Sequence, residues 1–428
     1  MLLVFCSFVV LLLIGMPVAF AIAISGALFF TQTSTLPATI PVQLALSQTQ
    51  NFALLAIPLF IISGNFMNHA GITKRLLRLS TVLTGHMRGG LAQVSVAMAT
   101  FMGGVSGSAI ADAAMQTRIL GQEMLKRGFS KGYAASVLSY GSLITPVIPP
   151  GIGFILYGTV GQVSIGRLFA GGILPGAFIW LTLATTISLT ARRRGYAPER
   201  QGRPEAKEVG GAVLGGTWAI LFPIILIGGL RFGIFTPSEI GSFAVIYAFF
   251  VGLVAYRELK GRSIKEALEG SVTDVGAVMF LIAMSGIFGY GIVWERVPET
   301  ISTAMLGLTS NPHLVMLMIV AFLVVAGLFI DGTVLIIMLT PIFLPIALEL
   351  GFDPVHFGVV FVIVITIGNF TPPVGSAMYA VCSILDCSVN EFTREAMPFL
   401  AAVVVLCAAL IFIPEIVLFV PDMIFGPS

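Results

Sequence analysis

Apolar residues recur along this chain in stretches long enough to cross a bilayer, separated by short polar connectors. A spanning helix needs roughly 20 consecutive apolar residues. The pattern predicts spans over 2–30, 52–68, 132–158, 168–191, 212–230, 238–256, 273–293, 355–385 and 396–420. Two further apolar regions, 90–125 and 313–350, are too long for one helix. Each is interrupted midway by small or polar residues: Gly103-Gly-Val-Ser-Gly-Ser108 in the first, Gly327-Leu-Phe-Ile-Asp-Gly-Thr333 in the second. Segment 72–83 places apolar residues at helical spacing, with Lys74, Arg75 and Arg78 on another face. That pattern suits an arm lying along the cytoplasmic membrane surface.

Composition supports the membrane reading. Apolar residues make up 57% of the chain and charged ones 10%, against about 25% charged in a soluble domain. Such a chain cannot cover a water-facing surface, which excludes a soluble enzyme. A net charge of +2 and the lack of a basic tract with interleaved aromatics argue against a nucleic-acid partner. Cys6, Cys382, Cys387 and Cys407 lie in or beside apolar runs and form no C-x-x-C pair, so they read as small apolar side chains. The first run has no basic leader and no A-x-A cleavage site, and reads as a retained span. No connector is longer than 192–210, and no extramembrane domain is expected.

The distribution of positive charge decides how the two long regions sit. Lys74, Arg75, Arg78 and Arg88 precede the first, and Lys126, Arg127 and Lys131 follow it. Cytoplasmic loops collect Lys and Arg, so both ends of this region belong on the cytoplasmic side and it dips in and returns. Continuing along the chain puts 19 of the 22 basic residues on or toward the cytoplasm, leaving Arg167, Arg231 and Arg296 outside. The N-terminus is then cytoplasmic and the C-terminus periplasmic. The second hairpin, around Asp331, opens from the opposite side.

The two halves echo one another. At a shift of 223 residues Gly128-Phe129 matches Gly351-Phe352, Pro149-Pro150 matches Pro372-Pro373, and Gly104 matches Gly327. One residue further on, Gly151 matches Gly375 and Ser164 matches Ser388. With opposite orientations, these halves form an inverted repeat, an architecture of many secondary transporters. The expected fold class is an all-α integral membrane protein with two re-entrant hairpins and two broken helices. The first repeat covers 1–191, a cytoplasmic loop and connecting span 192–237, and the second repeat 238–428.

Backbone polar groups at membrane depth must be satisfied internally, so breaks there line a cavity or bind something. Each half has two: the hairpin tip, and a proline-rich break in the next span at 143–151 and 368–375. Proline removes the N–H that would cap a carbonyl one turn back. The freed carbonyls suit sodium, a hard cation. One expected ion site is Ser106 and Ser108 with the backbone around Thr145, Ile148 and Pro150. The other is Asp331, Gly332 and Thr333 with Gly368, Thr371 and Pro373. A carboxylate at membrane depth is costly and usually functional, which singles out Asp331. An anionic substrate group would suit helix N-termini at the tips, near Gly104, Asn369 and Ser376. Asp112 either stabilises the first tip or handles an ion or proton. Asp274 reads as interfacial.

The chain resembles the large membrane subunit of the tripartite ATP-independent periplasmic (TRAP) transporters over nearly its whole length. The matching stretches include Ile57-Pro-Leu-Phe-Ile-Ile-Ser-Gly64, Gly85-His-Met-Arg-Gly-Gly-Leu91, Gly104-Val-Ser-Gly-Ser-Ala-Ile-Ala-Asp112, Thr236-Pro-Ser-Glu239 and Thr371-Pro-Pro-Val-Gly375. The resemblance implies sodium-coupled (Na+) import with an elevator-like moving domain. It also implies a small partner subunit of about four spans and a periplasmic substrate-binding protein. The substrate it implies is an organic acid such as a C4-dicarboxylate or sialic acid, taken up at the bacterial inner membrane. Two other readings remain open: a stand-alone ion- or proton-coupled carrier, and an intramembrane serine protease built on Gly104-Val-Ser-Gly107.

Overall fold

The computed structural model describes the chain apart from Met1, Ser34, Ala38, Asn51, Gln201, Ser310, Pro373 and Ser428. All regular elements among the described residues are helical. Seven of the helices are long and apolar enough to cross a membrane: Ile165–Arg194, Ala206–Arg231, Pro237–Ala255, Gly261–Trp294, Pro312–Phe329, Gly332–Glu349 and Val389–Phe412. Their outward faces carry exposed Leu189, Leu214, Ile246, Val272, Phe322 and Val405, the apolar surface a lipid-facing wall requires.

Several expected spans are divided. Region 2–30 is two helices, Leu2–Leu13 and Val18–Gln32. The turn between them holds Gly15 at φ 87, and Pro17 supplies no N–H. Phe5 and Phe8 pack on Phe288, whose backbone also meets Gly26, so the chain folds back on itself here. Hydropathy does not fall at this turn, and pattern alone runs through it. A helix at Ile40–Thr49 lies where no element was expected, and a short turn at Phe52–Leu55 leads from it into Ala56–His69. Region 396–420 is likewise two helices, Val389–Phe412 and Glu415–Phe425, parted at Ile413 and Pro414. The helix expected at 273–293 begins earlier, at Gly261, and runs for 34 residues.

The arm is a helix over Ile72–Thr84. Its apolar face is covered by protein: Leu79 lies against Gly216 of helix Ala206–Arg231. Arg75 is paired with Glu258 at 2.7 Å and stacked 3.7 Å above the Tyr256 ring.

Both long regions return to their starting point. The backbone N–H of Glu199 donates to the carbonyl of Gly85, just before the first region, at 2.8 Å. The Glu199 carboxylate accepts from Arg127, just after it, at 2.8 Å. In the second region the His313 ring, at its start, lies 6.1 Å from the Phe352 ring just past its end.

The hairpins end in the same local chemistry. Gly128 and Gly351 take left-handed φ of 84° and 81°. Phe129 N–H then donates to the Met124 carbonyl at 3.1 Å, and Phe352 N–H to the Ala347 carbonyl at 3.0 Å. Those bonds satisfy carbonyls that a helix end otherwise orphans. Ser130 caps the following helix in the first half and Asp353 in the second. Ser164 and Ser388 cap Ile165–Arg194 and Val389–Phe412. The matched glycines and serines are thus positions with a local structural requirement.

Candidate functional site

The first hairpin runs Leu91–Gly103, turns, and starts its return at Ala109. Gly107 has φ 64, and a Cβ there would meet the Pro150 carbonyl oxygen at 2.6 Å. Gly103 faces the Thr145 carbonyl oxygen, 3.1 Å from where its own Cβ would be. The tip is therefore pressed against the first proline break, and any side chain at these glycines would lift it away. In the break, Pro146, Pro149 and Pro150 supply no N–H, and a cis peptide joins the last two. The chain becomes helical again at Ile152–Val160.

Ser108 caps the return arm, its hydroxyl accepting from Ala111 N–H at 3.5 Å. One turn on, Asp112 is 1% exposed. Its Oδ2 accepts from the Thr145 hydroxyl and from Gln116 Nε2, both at 2.7 Å. Thr145 thus spends its hydroxyl on Asp112 and presents its carbonyl to the tip.

In the second hairpin Asp331 caps helix Gly332–Glu349, accepting from Thr333 N–H at 2.8 Å. Gly327 crosses Gly368 backbone to backbone, and a Cβ on Gly368 would stand 2.6 Å from the Gly327 Cα. Beyond the crossing, Asn369 places its Nδ2 3.1 Å from the position of a Gly332 Cβ. Thr371 closes the end of helix Pro354–Phe370, its hydroxyl donating to the Ile367 carbonyl at 2.7 Å.

Both tips meet in one cavity of about 300 Å³. The first contributes Ser106, Gly107 and Ser108, and the second Asp331, Gly332 and Thr333. Asn369 and Thr366 line it from the second broken helix. The remaining wall carries Asn65 and Asn68 of helix Ala56–His69, and Asp274 of helix Gly261–Trp294.

Of the residues expected at ion and substrate sites, Ser106, Ser108, Asp331, Gly332, Thr333 and Asn369 share this cavity. Thr145, Ile148 and Pro150 lie directly behind the first tip, and Gly368 behind the second. Thr371 is turned to its own helix. Gly104 faces Pro223, at 3.3 Å from its would-be Cβ, and does not line the cavity. Ser376 is exposed at the start of helix Ser376–Leu385, which packs against Gly121 of the first hairpin's return arm and not on the cavity. Pro373 lies outside the described residues.

Sequence reasoning missed Asn65, Asn68 and Asp274. Asn65 Nδ2 donates to Asp274 Oδ2 at 3.0 Å across 209 residues of chain. Because its helix starts at Gly261, Asp274 is well inside it rather than at an end. The available signal was a carboxylate at the point where the charged first turns of this helix, with Glu266 and Glu269, give way to its apolar run.

Among the described residues, the cavity's charged side chains are Asp274 and Asp331, and no Lys, Arg or His lines it. The ring of His356 hydrogen-bonds the Leu410 carbonyl, and that of His69 the Asn65 carbonyl. Positive potential comes instead from the starts of the helices at Ala109 and Gly332.

Over residues 5–416 the chain matches the family model described as the DctM component of the tripartite ATP-independent periplasmic transporters. It is 34% identical over 405 residues to the 2,3-diketo-L-gulonate TRAP transporter large permease protein YiaN of Escherichia coli (strain K12), covering 95% of both chains. It is 32% identical over 418 residues to the sialic acid TRAP transporter large permease protein SiaM of Vibrio cholerae, covering 97% of both. The crystal structure of the Alcanivorax borkumensis YdaH transporter shares the fold, with a TM-score of 0.60 at 15% identity over 90% of this chain and 89% of that one.

Proposed function

The chain belongs to the family of DctM components, the large permeases of the tripartite ATP-independent periplasmic transporters, and from that premise we propose that it imports an organic acid with sodium as the coupling ion. The observation that carries this reading is the convergence of both hairpin tips on one cavity. Carboxylate and hydroxyl oxygens stand there beside helix starts, with freed carbonyls directly behind them.

Sodium would take oxygens of Ser106 and Ser108 with the backbone of Thr145, Ile148 and Pro150. A second ion would take Asp331, Gly332 and Thr333 with the backbone around Gly368 and Thr371. Two carboxylates without a basic side chain repel an anion. Cation binding therefore precedes substrate binding, which is coupling expressed as electrostatics. The substrate carboxylate would then seat on the helix starts at Ala109 and Gly332. Asp112 takes the tip-stabilising role, since its bond to Thr145 holds the return arm to the break, while Gln116 on the same arm steadies its carboxylate.

In transport, the hairpins and broken helices slide as one body past the remaining helices. A small membrane subunit broadens that frame, and a periplasmic binding protein hands over the substrate. The membrane is the bacterial cytoplasmic one, with the N-terminus inside and the C-terminus in the periplasm.

The test is uptake into proteoliposomes holding this chain with its small membrane subunit, with the binding protein supplied outside. An inward sodium gradient should drive accumulation, and an equal potassium gradient should not. Accumulation that ignores sodium would overturn the coupling, and accumulation without the binding protein would favour a stand-alone carrier.

A further inference from the structure

The return arm of the first hairpin is helical from Ala109 to Lys126, with a π turn over Thr117–Gly121. One side of it is closed. Asp112 is bonded to Thr145, Gln116 and Leu120 are buried, and Gly121 lies against Leu385. The other side is open. Ala111, Arg118, Ile119, Gln122 and Lys126 are exposed, with Met115 half-buried among them. They recur at helical spacing and form one stripe. The stripe begins at the cavity, which Ala111 lines, and ends at the basic pair Lys126 and Arg127.

Arg118 stands midway along it. It makes no ion pair or side-chain hydrogen bond with the described residues. By helical rise it is about 10 Å from Ala111 and about 12 Å from Lys126. A free guanidinium at that depth is costly against lipid, so the stripe faces water. The cavity is then open toward Lys126 and Arg127, the cytoplasmic side by the distribution of positive charge. A helical Cα–Cβ bond tilts toward the start of its helix, which here is the hairpin tip. The stem of Arg118 therefore leads back toward the cavity mouth.

We infer that Arg118 is a cationic station on the cytoplasmic release path, receiving the anion as it leaves the two tips. This rests on the organic-acid reading above and adds a step to it. Among the described residues the cavity's own charges are Asp274 and Asp331. When sodium departs, those carboxylates repel the anion, and Arg118 is the next charge along the arm. A fixed opposite charge in a water-filled passage raises the local concentration of the ion it attracts and speeds its transit.

The experiment places a cysteine on either side of Arg118, as Met115→Cys or Gln122→Cys, in inside-out membrane vesicles holding the chain with its small membrane subunit. The probes are two methanethiosulfonates of similar size, one bearing a sulfonate and one a trimethylammonium, at low ionic strength. The unsubstituted chain, treated alike, corrects for the exposed Cys6. Both cysteines should react from the cytoplasmic side, and Met115→Cys should favour the sulfonate. A unit charge about 6 Å away in water changes each rate about threefold, so Arg118→Gln should move the ratio about tenfold toward the ammonium reagent. Arg118→Lys should keep the original ratio, and the shift should be smaller at Gln122→Cys. Cysteines that neither reagent reaches put the stripe against lipid or protein and overturn the inference. So does a ratio that ignores Arg118→Gln, or one that moves more at Gln122→Cys than at Met115→Cys. Labelling needs no cargo, which keeps the two readings apart. Without sodium-driven accumulation in the uptake assay, the organic-acid reading falls and takes the cargo of Arg118 with it. With accumulation and an indifferent ratio, only this inference falls.

Discussion

Asp112 accepts a hydrogen bond from the Thr145 hydroxyl at 2.7 Å, joining the return arm of the first hairpin to the break that follows it. The acid is buried. This bond links two of the interruptions that hydropathy marks separately.

Asp112→Ala should therefore cost about 1.5–3 kcal/mol, the range for a hydrogen bond to a charged group. Asp112→Asn keeps an acceptor for Thr145 and should cost less. Melting temperatures of the two variants decide this, and equal losses would show that the bond to Thr145 is not what matters.

Sodium should raise the melting temperature above that in potassium at equal ionic strength. Binding to the folded state contributes about 2.7 kcal/mol at a hundredfold excess over the dissociation constant. The difference should shrink in Ser106→Ala and in Asp331→Ala, each of which removes an oxygen from the cavity. Variants that keep the full sodium effect would move the ion sites elsewhere.

The Gly327–Gly368 crossing leaves no room for a methyl group. Gly368→Ala should destabilise the protein by about 1–3 kcal/mol through overpacking. Gly276→Ala, with nothing within 4 Å of its would-be Cβ, is the matched control and should be neutral or slightly stabilising. Thermal unfolding of the pair measures the contrast, and an unaffected Gly368→Ala protein would mean the crossing is loose.

Ser388 and Glu391 form a capping box at the start of Val389–Phe412. Ser388→Ala should cost about 1 kcal/mol, and Ser388→Asp should recover most of it. Denaturation of the three proteins side by side tests this, and a loss that Asp does not recover would rule out capping as the serine's role.

The breaks at Gly103–Ser108, Gly327–Thr333 and the two proline runs were readable because glycine and proline state their backbone consequences locally. Ser164 and Ser388 stood out only as matched positions of the repeat, and the folded chain shows that both cap helices. The fold-back at Gly15 was not readable, because Ile14, Met16 and Pro17 keep the run apolar while the chain reverses. Ile40–Thr49 was missed for the opposite reason, since its Gln43, Ser47 and Gln48 dilute the apolar pattern. In the candidate site, the tips were legible and the facing wall was not. Asn65 and Asp274 become neighbours only in the folded molecule, and Asn68 on its own reads as the polar end of a span. Gly104 and Ser376 were placed by their closeness in sequence to breaks, and each turns out to face a neighbouring element or the surface instead.

Glu199 has one further consequence. It moors both ends of the first hairpin to the loop after Ile165–Arg194, and the N–H of Arg200 also reaches the Gly85 carbonyl, at 3.2 Å. Just beyond, Arg200 grips Glu208, near the start of the connecting helix, through two bonds of 2.6 and 2.9 Å. Between those two anchorages lies Gly202, at φ 84 with open space around it. If the hairpin travels, it tows this loop. The slack must then be taken up in the few residues around Gly202, which would make that short leash a limit on the length of the stroke.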